Sequence, residues 1–238
     1  MAALLVGVAS CATPPKYGQE PPLALRTRNH PLWAIAPALN LSGEQVDPLL
    51  QADLLYEQLQ AVGNVTVIPV NRVVAVYQAL GIDKVETEKQ AMVVCEQLGC
   101  DGLIVPTVTA YDPYNPPKFG VALQLLGRSG YVAEPHIDAR LLVRQATPTE
   151  TEVLPAHPQF IQVVGVYDAA NGSVHGAVLD YAKGRNDPVG PLGAKEYFVN
   201  MDRYCGFAYH ALIVEMIHEV ESREGGPVVT AATPGDHT

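Results

Sequence analysis

From Leu32 onward, apolar residues fall alternately into short continuous runs and helical stripes. Residues 32–37 (Leu-Trp-Ala-Ile-Ala-Pro) form a brief apolar run, closed by Pro37 and a polar loop at 40–43, and read as a buried strand. Asp47 and Pro48 supply an N-cap and a first-turn proline for a helix reaching Val62, with Leu50, Leu54, Leu55 and Leu59 three or four apart and Gly63 as its stop. Residues 65–70 make a second strand, and Asn71 caps a helix carrying Val74, Tyr77 and Leu80 to Gly81. A third helix starts at Thr87 and turns Ala91, Val94, Cys95 and Leu98 inward before Gly99.

Residues 101–111 predict a third strand, in which Pro106 requires either a bulge or an unpaired flank because proline has no N–H to donate. Residues 119–126 and 160–167 are further strands, and 137–143 is another candidate. After Asp168, the turn Ala170-Asn171-Gly172 leads into a helix to about Lys183, capped by Ser173. Residues 194–221 carry Phe198, Met201, Cys205, Ala208, Leu212, Met216 and Val220 on one stripe and predict a single long amphipathic helix. The expected fold is α/β, a mixed sheet of about five strands in the order βαβααβββα, covered by helices including that long C-terminal one.

The two ends differ from this body. Residues 2–10 are apolar and finish in Val8-Ala9-Ser10 before Cys11, the arrangement of a bacterial lipoprotein signal whose cysteine is acylated and becomes the new amino terminus. The run is too short to span a bilayer, and no Lys or Arg precedes Lys16, which leaves open the reading of an ordinary cytosolic start. The division expected is a signal at 1–10, a lipidated Pro-rich tether at 11–31, one domain at 32–222 and a disordered Gly/Pro/Thr tail at 223–238.

The formal net charge of −10 and the lack of a basic patch argue against nucleic acid, whose phosphates need clustered Lys and Arg. The same charge disfavours an anionic membrane surface, so attachment is assigned to a lipid on Cys11. No other stretch is long and apolar enough to cross a membrane. Beyond Cys11 the cysteines are Cys95, Cys100 and Cys205, an odd number that allows at most one internal bridge. Cys95 and Cys205 lie on apolar stripes and either meet as a disulfide or stand as buried small hydrophobes. The 95-to-100 spacing is not that of a zinc or thioredoxin site, and neither metal nor cofactor is expected.

Four segments carry a family resemblance: Trp33-Ala34-Ile35-Ala36-Pro37, then Asn40-Leu41-Ser42-Gly43, then Val67-Ile68-Pro69, and finally Leu98-Gly99-Cys100-Asp101-Gly102-Leu103-Ile104-Val105. Their strand-loop and Leu-Gly-x-Asp turn patterns resemble the small α/β domain of envelope lipoproteins such as the curli secretion lipoprotein, the amino-terminal domain of TolB and the activators of penicillin-binding proteins. The resemblance covers roughly residues 32–111 and implies a periplasmic, membrane-anchored protein working by contact. It supplies no catalytic residue. Pro106 departs from the pattern, and 119–126 is short for an outer-membrane strand.

Nucleophile elbows, phosphate loops and zincin helices are absent from the sequence. Asp101, Asp168, Ser173 and His175 are the only residues on which a scattered hydrolase could be built, and the serine and histidine are too close along the chain to align easily. His210 and His218, with Glu215 and Glu219, are expected on a solvated helix face. The loop holding Tyr111, Asp112, Tyr114 and Asn115 among Pro113, Pro116 and Pro117 is stiff and rich in contact area; it either forms an interface or packs back on the domain. The reading favoured is a lipid-anchored, non-enzymatic envelope protein that binds a protein partner or another copy through an exposed sheet edge. A small-ligand binder and an envelope hydrolase are the alternatives.

Overall fold

The computed structural model describes residues 23–27, 30–127, 159–187 and 190–224. Cys11, the strand expected at 137–143 and residues 225–238 lie outside these residues, whereas Arg223 and Glu224, expected in the tail, continue the last helix.

Among the described residues, eight strands and six α-helices follow one another: β1 (Leu23–Ala24), β2 (Leu32–Ile35), β3 (Leu39–Asn40), α1 (Pro48–Gln60), β4 (Val62–Gly63), β5 (Thr66–Ile68), α2 (Val70–Leu80), α3 (Glu88–Leu98), β6 (Gly102–Asp112), β7 (Lys118–Gly127), β8 (Gln159–Asp168), α4 (Gly172–Ala182), α5 (Glu196–Val199) and α6 (Met201–Glu224). The main sheet has the order β5-β2-β6-β7-β8, and β3 continues the line of β2 along β6. β5, β2, β3 and β6 are parallel; β6, β7 and β8 form an antiparallel meander. The mixed α/β class and the long C-terminal helix are as the periodicity predicts.

Alternation along the central strands splits the interior into two cores. Trp33, Ile35, Ile104, Val108, Phe119, Leu123 and Ile161 face the side covered by α1, α4 and α6. Ala34, Ala36, Leu103, Val105 and Leu126 face α2 and α3. The sheet is therefore the middle of three layers.

Several local expectations need correction. The proposed tether is partly domain: β1 pairs β4, and Leu25 is fully buried in the larger core. Its aperiodic, Pro-flanked sequence hides the anchoring leucine Leu25, with Leu23 packed beside the same core. The first helix ends at Gln60 because Val62 is instead drawn into that small two-stranded sheet. Asn71 lies inside α2, whose N-cap is Pro69. Asn171 caps α4; its side-chain oxygen accepts from both the backbone N–H and the hydroxyl of Ser173. The last helix is broken at Asn200, whose side chain accepts from the N–H groups of Asp202 and Arg203 and so starts α6 afresh.

Other signals hold. Asp47 accepts from Leu49 and Leu50, and Thr87 with Gln90 makes a reciprocal capping box on α3. Pro106 pairs in register with Leu123, and the ladder's irregularity falls later, between Val108 and Ala110. On its other side Pro106 meets the gap between β2 and β3, where no ladder partner is needed.

Candidate interaction face

On β8, Ile161 and Val163 are buried against α6, while their neighbours Phe160, Val164 and Val166 point to the opposite face of the sheet. That is the face α2 and α3 cover, and α3 packs chiefly on β6 and β7. Phe160 is therefore 47 % exposed, Val164 52 % and Val166 58 %. Their cross-strand partners on β7, Leu126, Ala122 and Gly120, are buried, so the exposed strip belongs to β8.

Between this strip and α3 the surface sinks into a trough of about 430 Å³. Val105 and Leu126 form its floor, Phe160 one rim, Leu39 and Leu41 the other, and residues 84–88 its end wall. Leu41 is 72 % exposed, held in place by its N–H to the Val108 carbonyl at 2.8 Å. Gln124 donates to Gln162 at 3.3 Å, the polar interruption in the apolar lining. The Glu86 carboxylate, 2.9 Å from Lys84, holds that ammonium above the ordinary lysine range. The trough thus offers aliphatic surface, the side-chain amides of Asn40, Gln124 and Gln162, and a mixed-charge rim, a composition suited to a polypeptide.

The Tyr114 loop lies beyond the far end of the same strands. Asp112 accepts the Tyr114 N–H at 3.0 Å, and Tyr114 is 80 % exposed, pointing away from the domain; Asn115 is exposed beside it. Tyr111 behaves differently, packing edge-on against Phe119 at 6.2 Å. One tyrosine of the loop is free for contact and the other belongs to the core.

The residues considered for hydrolysis do not converge. Asp101 accepts the Leu32 N–H at 2.8 Å and donates its own N–H to the Leu32 carbonyl, tying β2 to β6. Asp168 sits at the other end of the sheet, 3.7 Å from Lys118. Ser173 is bound to Asn171, and the His175 ring stacks on Phe198 at 4.3 Å. Among the described residues no cluster of His, Cys, Asp and Glu has metal-binding geometry, and no helix is long and apolar enough to cross a membrane.

The described cysteines, Cys95, Cys100 and Cys205, are buried. Cys95 lies in the smaller core and Cys205 in the larger, with the sheet between them, so the bridge considered from the sequence is not one this fold brings together. Periodicity identified both as inward-facing but could not say into which layer.

His218 is exposed as expected, whereas His210 is half-buried, its ring 5.0 Å from Tyr181. Burial first, and then the Arg185 guanidinium, bring its pKa from 6.5 down to about 4. Between these values the unfolded chain binds a proton that the folded chain refuses, so stability falls as pH drops through this window. Replacing His210 with Gln is expected to flatten the stability loss between pH 7 and pH 5 by roughly 2 kcal/mol, measured by urea unfolding at each pH. An unchanged slope would mean that His210 titrates normally.

The chain matches no protein-family model and no curated protein. Solved structures similar to it include the LpoB C-terminal domain from Salmonella enterica, at 12 % identity and TM-score 0.41 over 61 % of this chain and 87 % of that one. Lipoprotein GNA1162 from Neisseria meningitidis aligns at 15 % identity and TM-score 0.33 over 63 % and 94 %. The PelC dodecamer from Paraburkholderia phytofirmans aligns at 11 % identity and TM-score 0.34 over 84 % and 91 %.

Proposed function

We propose that this is a lipid-anchored protein of the bacterial cell envelope, facing the periplasm and working by protein contact through the exposed face of β8. The observation that carries this reading is the strip Phe160, Val164 and Val166, apolar on the face that α2 and α3 leave uncovered. A monomer gains nothing from exposing contiguous apolar residues on a sheet, whereas a partner that covers them removes apolar area from water. The trough beside the strip adds shape, and the stiff loop bearing Tyr114 adds an aromatic anchor with a polar tip. Cys11 and the small residues before it support membrane attachment by acyl chains.

The test places a photo-crosslinking residue at Val164 in the full-length chain expressed in its host. Capture of one envelope protein, weakened at least tenfold by Val166→Glu and by Tyr114→Ala while the melting temperature stays within about 2 °C, supports the reading. Equal capture by both variants, or no specific product, removes the face from consideration. In the second case the trough would be examined with small hydrophobic ligands by calorimetry. Intact-mass analysis of the same material reports the lipid: an unprocessed, unacylated Cys11 in the soluble fraction would end the envelope assignment.

A further inference from the structure

Helix α3 ends in a double hydrogen-bonded closure. Gly99 adopts the left-handed conformation at φ 67°, its N–H reaches the Glu96 carbonyl at 3.3 Å, and the Cys100 N–H reaches the Cys95 carbonyl at 3.0 Å. This closure lays the side chain just after the glycine against the one five residues earlier, a place where helices commonly make an apolar contact. Here both positions are cysteine. Both side chains are fully buried in the smaller core, and the Cys95 thiol hydrogen-bonds to the Cys100 sulfur. A closure of this kind holds the two Cα atoms within the ~4.4–6.8 Å that disulfides span.

We propose that Cys95 and Cys100 form a disulfide in the exported protein, fastening the end of α3 to the start of β6. This rests on the export reading above, because only an oxidising compartment sustains such a bridge. In the folded domain the hydrogen bond from Cys95 holds the Cys100 thiol below the ordinary range, in opposition to burial. In the bridging reaction the thiolate of either cysteine attacks the disulfide of an envelope thiol oxidoreductase, forming a mixed disulfide and releasing one of that protein's sulfurs as a thiolate. The other cysteine then gives up its proton and displaces the second. The chain loses two electrons and two protons, and the oxidant's disulfide becomes a dithiol.

Because both thiols are enclosed in the folded domain, exchange takes place before α3 docks. Cys205 takes no part: it lies in the other core, where burial pushes its thiol pKa up. The bridge has a consequence for the candidate face. Thr87 and Glu88 at the start of α3 and Val105 on β6 all line the trough, so fastening α3 to β6 stiffens the relation between its end wall and its floor.

The test has two arms on the full chain. In the first, purified protein is refolded in an oxidised glutathione buffer, alkylated under denaturing conditions without reductant, and cut after Glu96, which separates the two cysteines. The two peptides are expected to stay joined at a mass 2 Da below the sum for two thiols, while Cys205 is alkylated. Reduction should lower the melting temperature by roughly 4–8 °C, an effect retained in Cys205→Ala and absent from Cys95→Ser/Cys100→Ser. Alkylation of both Cys95 and Cys100 in this arm overturns the pairing itself.

The second arm applies the same digest to protein from the host envelope. Joined peptides on a chain acylated at Cys11 support the proposal. Separate peptides on an acylated chain overturn it while the export reading stands; separate peptides on an unacylated chain overturn it through that reading.

Discussion

Leu25→Ala is expected to destabilise the domain by about 3 kcal/mol, the usual cost of truncating a fully enclosed leucine, and to lower the melting temperature by roughly 6–12 °C. The side chain is completely buried in the larger core. Its backbone is held as firmly: the Leu25 N–H reaches the Gly63 carbonyl at 3.0 Å and the Asn64 side chain donates to the Leu25 carbonyl at 3.1 Å. Next to it the Arg26 N–H donates to Glu221 on α6 at 2.7 Å, so this segment is fastened to both ends of the fold. Were residues 23–27 merely a tether, the same substitution would leave urea unfolding unchanged. A loss below about 1 kcal/mol would therefore return the segment to the tether.

Tyr209→Ala should cost still more, about 4 kcal/mol, because it removes a fully buried ring from the centre of the larger core. That ring meets Phe119 edge-on at 5.5 Å, joining α6 to the middle of the sheet. Its hydroxyl donates to Gln51 on α1 at 2.9 Å, a hydrogen bond enclosed between the two helices. The parts can be separated. Tyr209→Phe leaves the Gln51 oxygen without that donor, and Gln51→Leu leaves the hydroxyl without its acceptor; each should cost about 1–3 kcal/mol. The combined variant should cost less than the sum, since neither buried polar group then remains without its partner. Strict additivity would show that the two side chains do not depend on each other.

Much of the framework was legible locally. Asp47 with Pro48, Thr87, and the glycines at 81 and 99 mark helix ends through backbone chemistry confined to a few residues, and the structure uses all of them. Strands β6, β7 and β8 were legible as runs of β-branched and apolar residues. Where local signals compete, the reading slipped. At 194–221 the apolar stripe passes unbroken over Asn200, but that side chain satisfies two N–H groups better by starting a new helix than by standing inside one. At Asn171 and Ser173 two good caps lie two residues apart, and the one that accepts both of its neighbour's donors became the cap.

The candidate face was not legible, for a reason of symmetry. In β8, Ile161 and Val163 alternate with Phe160, Val164 and Val166, and both sets are apolar, so the run reads as a strand covered on both sides. The trough also draws residues from β3, the loop before α3, β6, β7 and β8, segments that no spacing along the chain relates. The cysteines show the same limit: inward orientation follows from helical period, but the layer entered depends on which face of the sheet each helix crosses.

By itself, the sequence determined the α/β class and most helix and strand positions, because these depend on periodicity and on interactions a few residues long. Tertiary structure alone decided that Leu25 belongs to the domain, that Cys95 neighbours Cys100 across the sheet from Cys205, and that Phe160, Val164 and Val166 on one side of β8 are exposed. Each of these turns on how far a covering layer extends, and that extent is set by packing between segments distant in the chain.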